Sequence, residues 1–246
     1  MPSLYDKTET TLAALGVKGG NPRAVVEMVE QGGIGWLKAR LGLPTASYAK
    51  CIVTSKGDPC KGETRNSYLL KLAIERVTGR AENEHETDAM RRGTALEPKA
   101  RAYYVWESGN EVLTSYKKPH TDGLFHRVGF VYRDDERRCG CSPDGLCVDR
   151  MIECKCLLNK NHVKAMMSGK PLTAHIPQMQ MQLWVCGMSV CDYVLYTPPV
   201  YDAIHQLPSA VFTVEADDKF QAALTEHVAK FTAEIDAAEA RIRGMA

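Results

Sequence analysis

The sequence predicts an α/β protein with a central mixed β-sheet flanked by helices. Segments with strand character recur at 111–116, 126–133, 151–156, 190–197 and 209–215. Helical patterns lie before and between them, and an amphipathic pattern at about 217–243 closes the chain with one apolar stripe. A hydrophobic fraction of 44% is sufficient for a substantial core between such layers.

Length and composition favour a single domain. The 246 residues fit one α/β unit, with a helical part at about 21–108, a sheet core at about 110–215 and the closing helix at about 217–243. The sequence has no apolar run long enough to cross a bilayer, and residues 1–10 lack the apolar core of a signal peptide. We therefore expect a cytoplasmic protein, without membrane contact.

Charge and cysteine usage argue against two simple interpretations. The net charge of +1 provides no overall basic field, so a nucleic-acid partner would require a local basic surface. The nine cysteines include C-x-C pairs at 139–141 and 154–156 but no C-x-x-C. We expect most of them to be reduced core residues, with a structural zinc site as the alternative.

Proline, glycine and capping residues delimit the helices of the first half. The Asn-Pro pair at 21–22 is typical of a helix start, and Gly32 would end that helix. A second helix is predicted at 64–78. A third starts near 87, and Pro98 should bend it in its middle. Two further helical patterns lie at 159–168 and 173–187.

The stretch at 141–156 has the strongest chemical pattern. It reads C-S-P-D-G-L-C-V-D-R-M-I-E-C-K-C, and its first carboxylate, Asp144, lies in a Pro-Gly turn. Because side chains alternate along a strand, Glu153 and Lys155 would share one face of the segment that follows. A hairpin would bring the two carboxylates and the ammonium group together. Such oxygen ligands suit Mg²⁺ or Mn²⁺, and the lysine could stabilise a phosphate, which is the pattern of a metal-dependent phosphodiesterase.

These residues resemble the PD-(D/E)xK nuclease motif, through S-P-D-G at 142–145 and E-C-K at 153–155. More closely, they resemble the phage lambda exonuclease and YqaJ-like viral recombinase family, and the similarity extends over about 36–196. The resemblance implies a restriction-endonuclease-like core. It also implies a metal site formed by Asp144, Glu153, the backbone carbonyl of Cys154 and Glu97, and a catalytic lysine, Lys155.

A second stretch of resemblance begins at Trp36 and reads W-x-x-x-R-L-G-x-x-T-A-S. In the family this stretch lines a pocket for the 5′-phosphate of DNA. The matching residues are Trp36, Arg40 and Ser47, and Ser142 joins them from the central turn. A guanidinium group binds phosphate bidentately, and hydroxyl groups complete the cage. The alternative is that Trp36 is a core aromatic residue and Arg40 caps a helix.

Two more stretches resemble parts of the family's active site. R-G-x-x-x-E-P at 92–98 matches a helix whose glutamate, here Glu97, faces the metal and supports the site. The first glutamine of a Q-x-Q pair, here Gln178, reaches the active site and would orient a water or a phosphate oxygen. Alternatively, Glu97 is a surface residue near Lys99 and Arg101, and Gln178 belongs to a helix that only packs.

The resemblance implies a Mg²⁺-dependent exonuclease with one or two ions per site, for which Mn²⁺ can substitute. It would degrade one strand of linear double-stranded DNA in the 5′-to-3′ direction from a 5′-phosphorylated end. Family members form a homotrimeric ring and act with a phage single-strand annealing protein in recombination. Two other functions stay open, a structure-specific or restriction-like endonuclease and a non-catalytic DNA-binding or assembly protein on the same fold.

Overall fold

Two four-stranded sheets frame the protein in the computed structural model, which describes residues 9–82, 87–113, 128–157, 159–199 and 206–245. The first sheet is antiparallel and consists of β1 (Glu9–Thr11), β2 (Val25–Glu27), β3 (Phe130–Tyr132) and β4 (Gly140–Cys141). The second consists of β5 (Gly145–Leu146), β6 (Met151–Lys155), β7 (Val190–Leu195) and β8 (Ala210–Glu215). Strands β6 and β7 are parallel and the other pairs antiparallel, so this second sheet is the mixed sheet that the sequence predicts.

Helices pack on both sheets and on one another. They are α1 (Ile34–Ala39), α2 (Glu63–Thr78), α3 (Asp88–Ser108), α4 (Asn159–Ser168), α5 (Ile176–Cys186) and α6 (Asp218–Arg243), with 3₁₀ turns at Ala46–Cys51 and Thr173–His175. Helix α3 lies against β6 and β7, while α5 lies against β3, β4 and α6. The bounds of α2 to α6 agree closely with the helices predicted from the sequence. Within the described ranges, no helix is long and apolar enough to cross a membrane.

Helix α6 covers one side of the main core. Its predicted apolar stripe is buried, through Phe220, Leu224, Val228, Phe231 and Ile235. The stripe packs against α2, where the rings of Phe231 and Tyr68 stack with their centroids 5.6 Å apart. An amphipathic helix of this length gains most of its stability from such burial, which explains why its sequence pattern is so regular.

The helix predicted after Asn21 is wrong, because residues 25–27 form strand β2, and the part at 21–108 is therefore not wholly helical. Strand β2 pairs with β1 on one side and with β3 on the other. The Asn21 side chain does not cap a helix, since its Nδ2 donates to the backbone carbonyls of Arg133, at 2.7 Å, and Val185, at 3.0 Å. Two adjacent β-branched valines suit a strand, and pairing with distant segments outweighs the local capping signal.

The strands predicted at 111–116 and 126–133 are present in part. Leu113 forms an isolated antiparallel bridge with Leu146, and β3 occupies the end of the second segment. Residues 114–116 and 126–127 of these two predictions lie outside the described residues.

All nine cysteines lie in the described part of the chain, and none forms a disulfide bond. Seven are buried, while Cys60 and Cys156 are partly exposed. Burial raises the pKa of several of the thiols, that of Cys139 to about 12. These properties agree with the interpretation of the cysteines as reduced core residues.

Candidate active site

The hairpin predicted around Asp144 is present as β5 and β6. Asp144 immediately precedes β5, and Gly145 pairs with Ile152 across the hairpin. A Cβ atom at Gly145 would lie 2.9 Å from the Ile152 side chain, so glycine permits this close approach. One oxygen of Asp144, Oδ2, accepts a hydrogen bond from the backbone N–H of Cys154 at 2.7 Å. This bond fixes the turn carboxylate against strand β6.

Glu153 is buried in the middle of β6, with 2% of its surface exposed. Its Oε1 accepts hydrogen bonds from the Lys155 ammonium group and from Gln178 Nε2, the latter at 2.6 Å. Its Oε2 accepts one from Gln182 Nε2 at 2.7 Å. Lys155 Nζ also donates to Gln178 Oε1 at 3.2 Å. One polar network therefore links β6 to helix α5, and Gln178 does more than pack.

Glu97 approaches the same site from α3, which continues through Pro98. The Glu97 carboxylate forms an ion pair with Arg101, one helical turn later, and its side chain is 16% exposed. Arg101 Nη1 also donates to the backbone carbonyl of Asp144 at 3.0 Å. Glu97 is therefore not the surface residue of the alternative interpretation. The buried guanidinium group of Arg101 links it to the turn that holds Asp144.

Burial and nearby negative charges shift the pKa values of Asp144 and Lys155. Burial, followed by the nearby charges of Glu153 and Glu97, raises the pKa of Asp144 well above its usual range. Burial by itself would lower the pKa of Lys155, but the carboxylates of Glu153 and Asp144 raise it above its ordinary value. Lys155 is consequently a cation at neutral pH, in a cluster of acids that an added positive charge would stabilise.

The residues predicted to bind phosphate also meet in the structure. Trp36 Nε1 donates to Ser142 Oγ at 2.7 Å, and the guanidinium carbon of Arg40 lies 4.2 Å from the centroid of the Trp36 ring. Arg40 Nη2 donates to Ser47 Oγ at 3.4 Å. Trp36 is partly buried and packs against the cluster of Ala39, Phe130 and Tyr132, and Arg40 is the C-cap residue of α1, so the alternative interpretation holds in part beside these contacts. A guanidinium group and two hydroxyls thus lie beside one another.

One cavity of about 470 Å³ contains both the cluster of acids with Lys155 and the residues predicted to bind phosphate. Its walls include Trp36, Arg40, Ser47, Glu97, Ser142, Asp144, Glu153, Cys154, Lys155, Gln178 and Gln182. Every residue that the sequence predicts for the site therefore lies on a single connected surface.

The donor atoms of this cavity suit a magnesium ion held by few side chains. Within the described residues, no three His, Cys, Asp or Glu side chains are grouped closely enough to hold a metal by themselves. Mg²⁺ commonly uses one or two carboxylates and keeps several waters. Asp144, Glu153 and the backbone carbonyl of Cys154 can supply such hard oxygen donors. Burial and, after it, the charges of Glu153 and Glu97 raise the pKa of Asp144, and a bound cation would favour its ionised form.

Gln182 is a member of this network that the sequence analysis does not single out. It lies four residues after Gln178 on the same face of α5, and this spacing is the signal that could have identified it. Gln180, the second glutamine of the Q-x-Q pair, bonds elsewhere, to the backbone carbonyl of Glu215 at 2.8 Å and the backbone N–H of Asp217 at 3.0 Å.

The mixed sheet and its cavity of acids and lysine define a protein of the nuclease class with a restriction-endonuclease-like core. A family model described as the YqaJ-like viral recombinase domain matches residues 35–189. The chain belongs to this family, and the matched range contains every residue of the site described above. A search of curated proteins gave no significant match.

Similar solved structures are exonucleases. LHK-Exo in complex with dAMP is 33% identical, with a TM-score of 0.72 over 87% of this chain and 97% of that one. The alkaline exonuclease LHK-Exo from Laribacter hongkongensis is 32% identical, with the same TM-score of 0.72 and the same coverage of 87% and 97%. A phage-related exonuclease from Haemophilus somnus 129PT is 16% identical, with a TM-score of 0.53 over 83% of this chain and 96% of that one, and shares the fold.

Proposed function

We propose that this chain is a Mg²⁺-dependent exonuclease that degrades one strand of linear double-stranded DNA, 5′ to 3′, from a 5′-phosphorylated end. The observation that carries the proposal is the shared cavity, in which Arg40 lies on the same connected surface as Asp144 and Glu153. A bound 5′-terminal phosphate would then leave the next phosphodiester linkage near the acids. The family's description as a viral recombinase domain and the exonuclease relatives support this choice.

Asp144, Glu153 and the backbone carbonyl of Cys154 would hold one or two Mg²⁺ ions, and Mn²⁺ can substitute because it prefers similar ligands. When bound, such an ion supplies Lewis acidity, which lowers the pKa of a water molecule and stabilises charge on phosphate oxygens. Glu97 adds negative charge beside the ion, and Arg101 holds that carboxylate in place.

Lys155 and Gln178 act on the scissile phosphate and the attacking water. The carboxylates around Lys155 keep its pKa raised, so it contributes a positive charge and not a general base. Gln178 has a carbonyl oxygen and an amide N–H₂ group, and it is held beside Lys155 and Glu153. It can therefore orient a water and a phosphate oxygen simultaneously.

The pocket of Trp36, Arg40, Ser47 and Ser142 anchors the 5′-terminal phosphate. Arg40 stacks on the Trp36 ring, which restricts its guanidinium group before a ligand binds. The hydroxyl of Ser142 accepts from the indole N–H, so its hydrogen can donate to phosphate. The hydroxyl of Ser47 accepts from Arg40 and also pairs with Thr45 Oγ1 at 3.2 Å, so it donates to phosphate when Thr45 is the donor of that pair. LHK-Exo, a relative, forms a complex with dAMP, which is a phosphorylated nucleoside.

The assembly and the biological role are further parts of the proposal. A homotrimeric ring would retain DNA by enclosing it, which suits a chain of net charge +1 that lacks a strong basic field. A phage single-strand annealing protein would then receive the exposed strand for recombination in the cytoplasm of a bacterial host. Sedimentation of the purified chain tests the ring, with the mass of three chains as the expected result.

The activity is tested on three DNA substrates with Mg²⁺: a 5′-phosphorylated linear duplex, the same duplex with 5′-hydroxyl ends, and a covalently closed circle. We expect rapid release of a 5′-end label from the first, slower digestion of the second, an intact circle, and no reaction with EDTA. Asp144→Asn should be inactive. Asp149→Asn, at an exposed carboxylate of the same hairpin, should be active.

Two results would contradict the proposal and favour its alternatives. Cleavage of the circle would indicate an endonuclease. Binding of DNA without degradation of any substrate would indicate a non-catalytic DNA-binding protein.

A further inference from the structure

Gln182 combines three properties that no other described residue of the cavity shares. It is only 1% exposed, its Nε2 donates to Glu153, and its Oε1 is buried without a hydrogen-bond partner in the described part of the protein. An unpaired buried amide oxygen costs about 1–3 kcal/mol. Because the Gln182 amide is buried at this cost in free energy and contacts Glu153, we expect it to have a role in the site.

The two carboxylate oxygens of Glu153 differ in how many of their lone pairs accept hydrogen bonds. A carboxylate oxygen has two lone pairs. Oε1 accepts from both Lys155 and Gln178, so both of its lone pairs are used. Among the described residues, Oε2 accepts only from Gln182, at 2.7 Å, which leaves one lone pair for another ligand. Asp144 is similar, because its Oδ2 accepts from the Cys154 N–H while Oδ1 has no protein donor in the described residues.

We infer that Gln182 is a positioning residue, which sets Glu153 Oε2 as the oxygen that binds the divalent cation. The inference rests on the proposed function, since it concerns the same metal site. The amide N–H holds one lone pair of Oε2 and thereby fixes the direction of the other. The amide oxygen of Gln182 provides an acceptor for a water molecule that a hydrated cation brings with it.

Helix α5 offers a matched control for this inference. Gln180 is two residues earlier, is also buried, and also uses both ends of its amide, on the backbone carbonyl of Glu215 and the backbone N–H of Asp217. In the part of the chain that the structure describes, it forms no hydrogen bond with Glu153. Gln182→Met and Gln180→Met remove the same amide from the same helix, but only the first change reaches the acids.

The test is calorimetric titration of Mn²⁺ into the full chain without DNA, for wild type, Q182M and Q180M. Residues that orient metal ligands typically contribute about 10- to 100-fold to affinity. We therefore expect Q182M to bind Mn²⁺ at least 10-fold more weakly, and Q180M to bind within about twofold of wild type. In nuclease assays, Q182M should need more Mg²⁺ for half-maximal rate and recover most of kcat at saturating Mg²⁺.

Each other outcome has a definite meaning. Equal Mn²⁺ affinities for wild type and Q182M would overturn the inference and leave the proposed function intact. An equal loss in Q182M and Q180M would assign the effect to packing of α5 and would also overturn it. A wild-type chain that binds no Mn²⁺ would refute the proposed function itself. If Q182M lacks a cooperative unfolding transition, Gln182→Asn, whose amide is one methylene too short to reach Glu153, replaces it with the same expectation.

Discussion

Asp144 Oδ2 accepts a hydrogen bond from the backbone N–H of Cys154 at 2.7 Å. This contact joins the turn before β5 to the strand that carries Glu153 and Lys155, so the position of each carboxylate depends on the other. It also leaves Asp144 beside Glu153 and Glu97, and burial together with these charges raises the pKa of Asp144. Ionised Asp144 therefore costs stability in the metal-free protein, and the proposed Mg²⁺ ion would offset that cost.

The first prediction concerns Asp144→Asn in EDTA. The amide oxygen can still accept from Cys154, while the charge that makes the metal-free site unfavourable is removed. We expect D144N to abolish activity but to raise the melting temperature, by about 2–4 °C for each kcal/mol gained. Asp149→Asn, an exposed control, should change neither. A lower melting temperature for D144N would contradict the charge-crowding account.

The same shift predicts how stability depends on pH. The folded-state pKa of Asp144 exceeds the value of about 3.9 for an unfolded aspartate, so the folded state binds the additional proton. The contribution of Asp144 to stability is therefore present at acidic pH and is lost as the pH rises through the folded pKa. In urea unfolding with EDTA, the free energy of unfolding of D144N should increase relative to that of wild type as the pH increases. A difference that does not vary with pH would contradict the prediction.

Lys155→Met tests the role of the lysine as a fixed positive charge. Loss of one preorganised group that stabilises transition-state charge commonly lowers kcat by about 10²- to 10³-fold, and we expect a loss of that size. Because neighbouring carboxylates raise the pKa of Lys155, wild-type activity should show no loss from its deprotonation between pH 7 and about 10. Lys160→Met, at an exposed lysine in the first turn of α4, is the control and should be fully active.

Arg40→Ala tests the phosphate pocket. A hydrogen bond to a charged group contributes about 1.5–3 kcal/mol, so the preference for 5′-phosphate over 5′-hydroxyl ends should fall by about 10- to 100-fold. Arg40→Lys should recover only part of it, because the bidentate geometry is lost. Arg138→Ala, at an exposed arginine paired with Asp236, should keep the full preference. Unchanged end preference in R40A would remove the case for this pocket.

Arg101→Met tests the link between Glu97 and the Asp144 turn. Arg101 is 5% exposed, and removal of one partner of a buried ion pair typically costs about 3–5 kcal/mol. Glu97→Gln should lower the free energy of unfolding much less in the R101M background than in wild type. A double-mutant cycle in urea measures this coupling between Glu97 and Arg101. Arg243→Met removes the exposed cation of a less buried pair, with Glu239 at the same i,i+4 spacing, and should lower the free energy of unfolding by under about 1 kcal/mol.

The chemistry of the site was largely predictable because its determinants are local. A turn at Asp144 and the alternation of side chains along β6 suffice to bring Asp144, Glu153 and Lys155 together. Both features depend only on the short segment at 144–155. The resemblance to the family then supplied the distant residues, Arg40 and Glu97. Helices α2 to α6 were also predictable, since their glycines, caps and apolar stripes are local signals.

The features that were missed depend on contacts between distant segments. Strand β2 exists because it pairs with β1 and β3, and no pattern around Asn21 encodes that pairing. The Gln182 contact with Glu153 joins residues 29 positions apart, and a buried glutamine in a helix that contains three glutamines gives little indication of its partner. Arg101 is comparable, because its bond to the Asp144 carbonyl depends on how α3 lies against the hairpin.

The most direct test of the central claim is the anomalous scattering of Mn²⁺ in crystals of the full chain. We predict a peak within coordination distance of both Asp144 and Glu153, with Glu153 contributing Oε2, and loss of the peak in D144N. A Mn²⁺ peak elsewhere in the molecule, with none between these two carboxylates, would contradict the account.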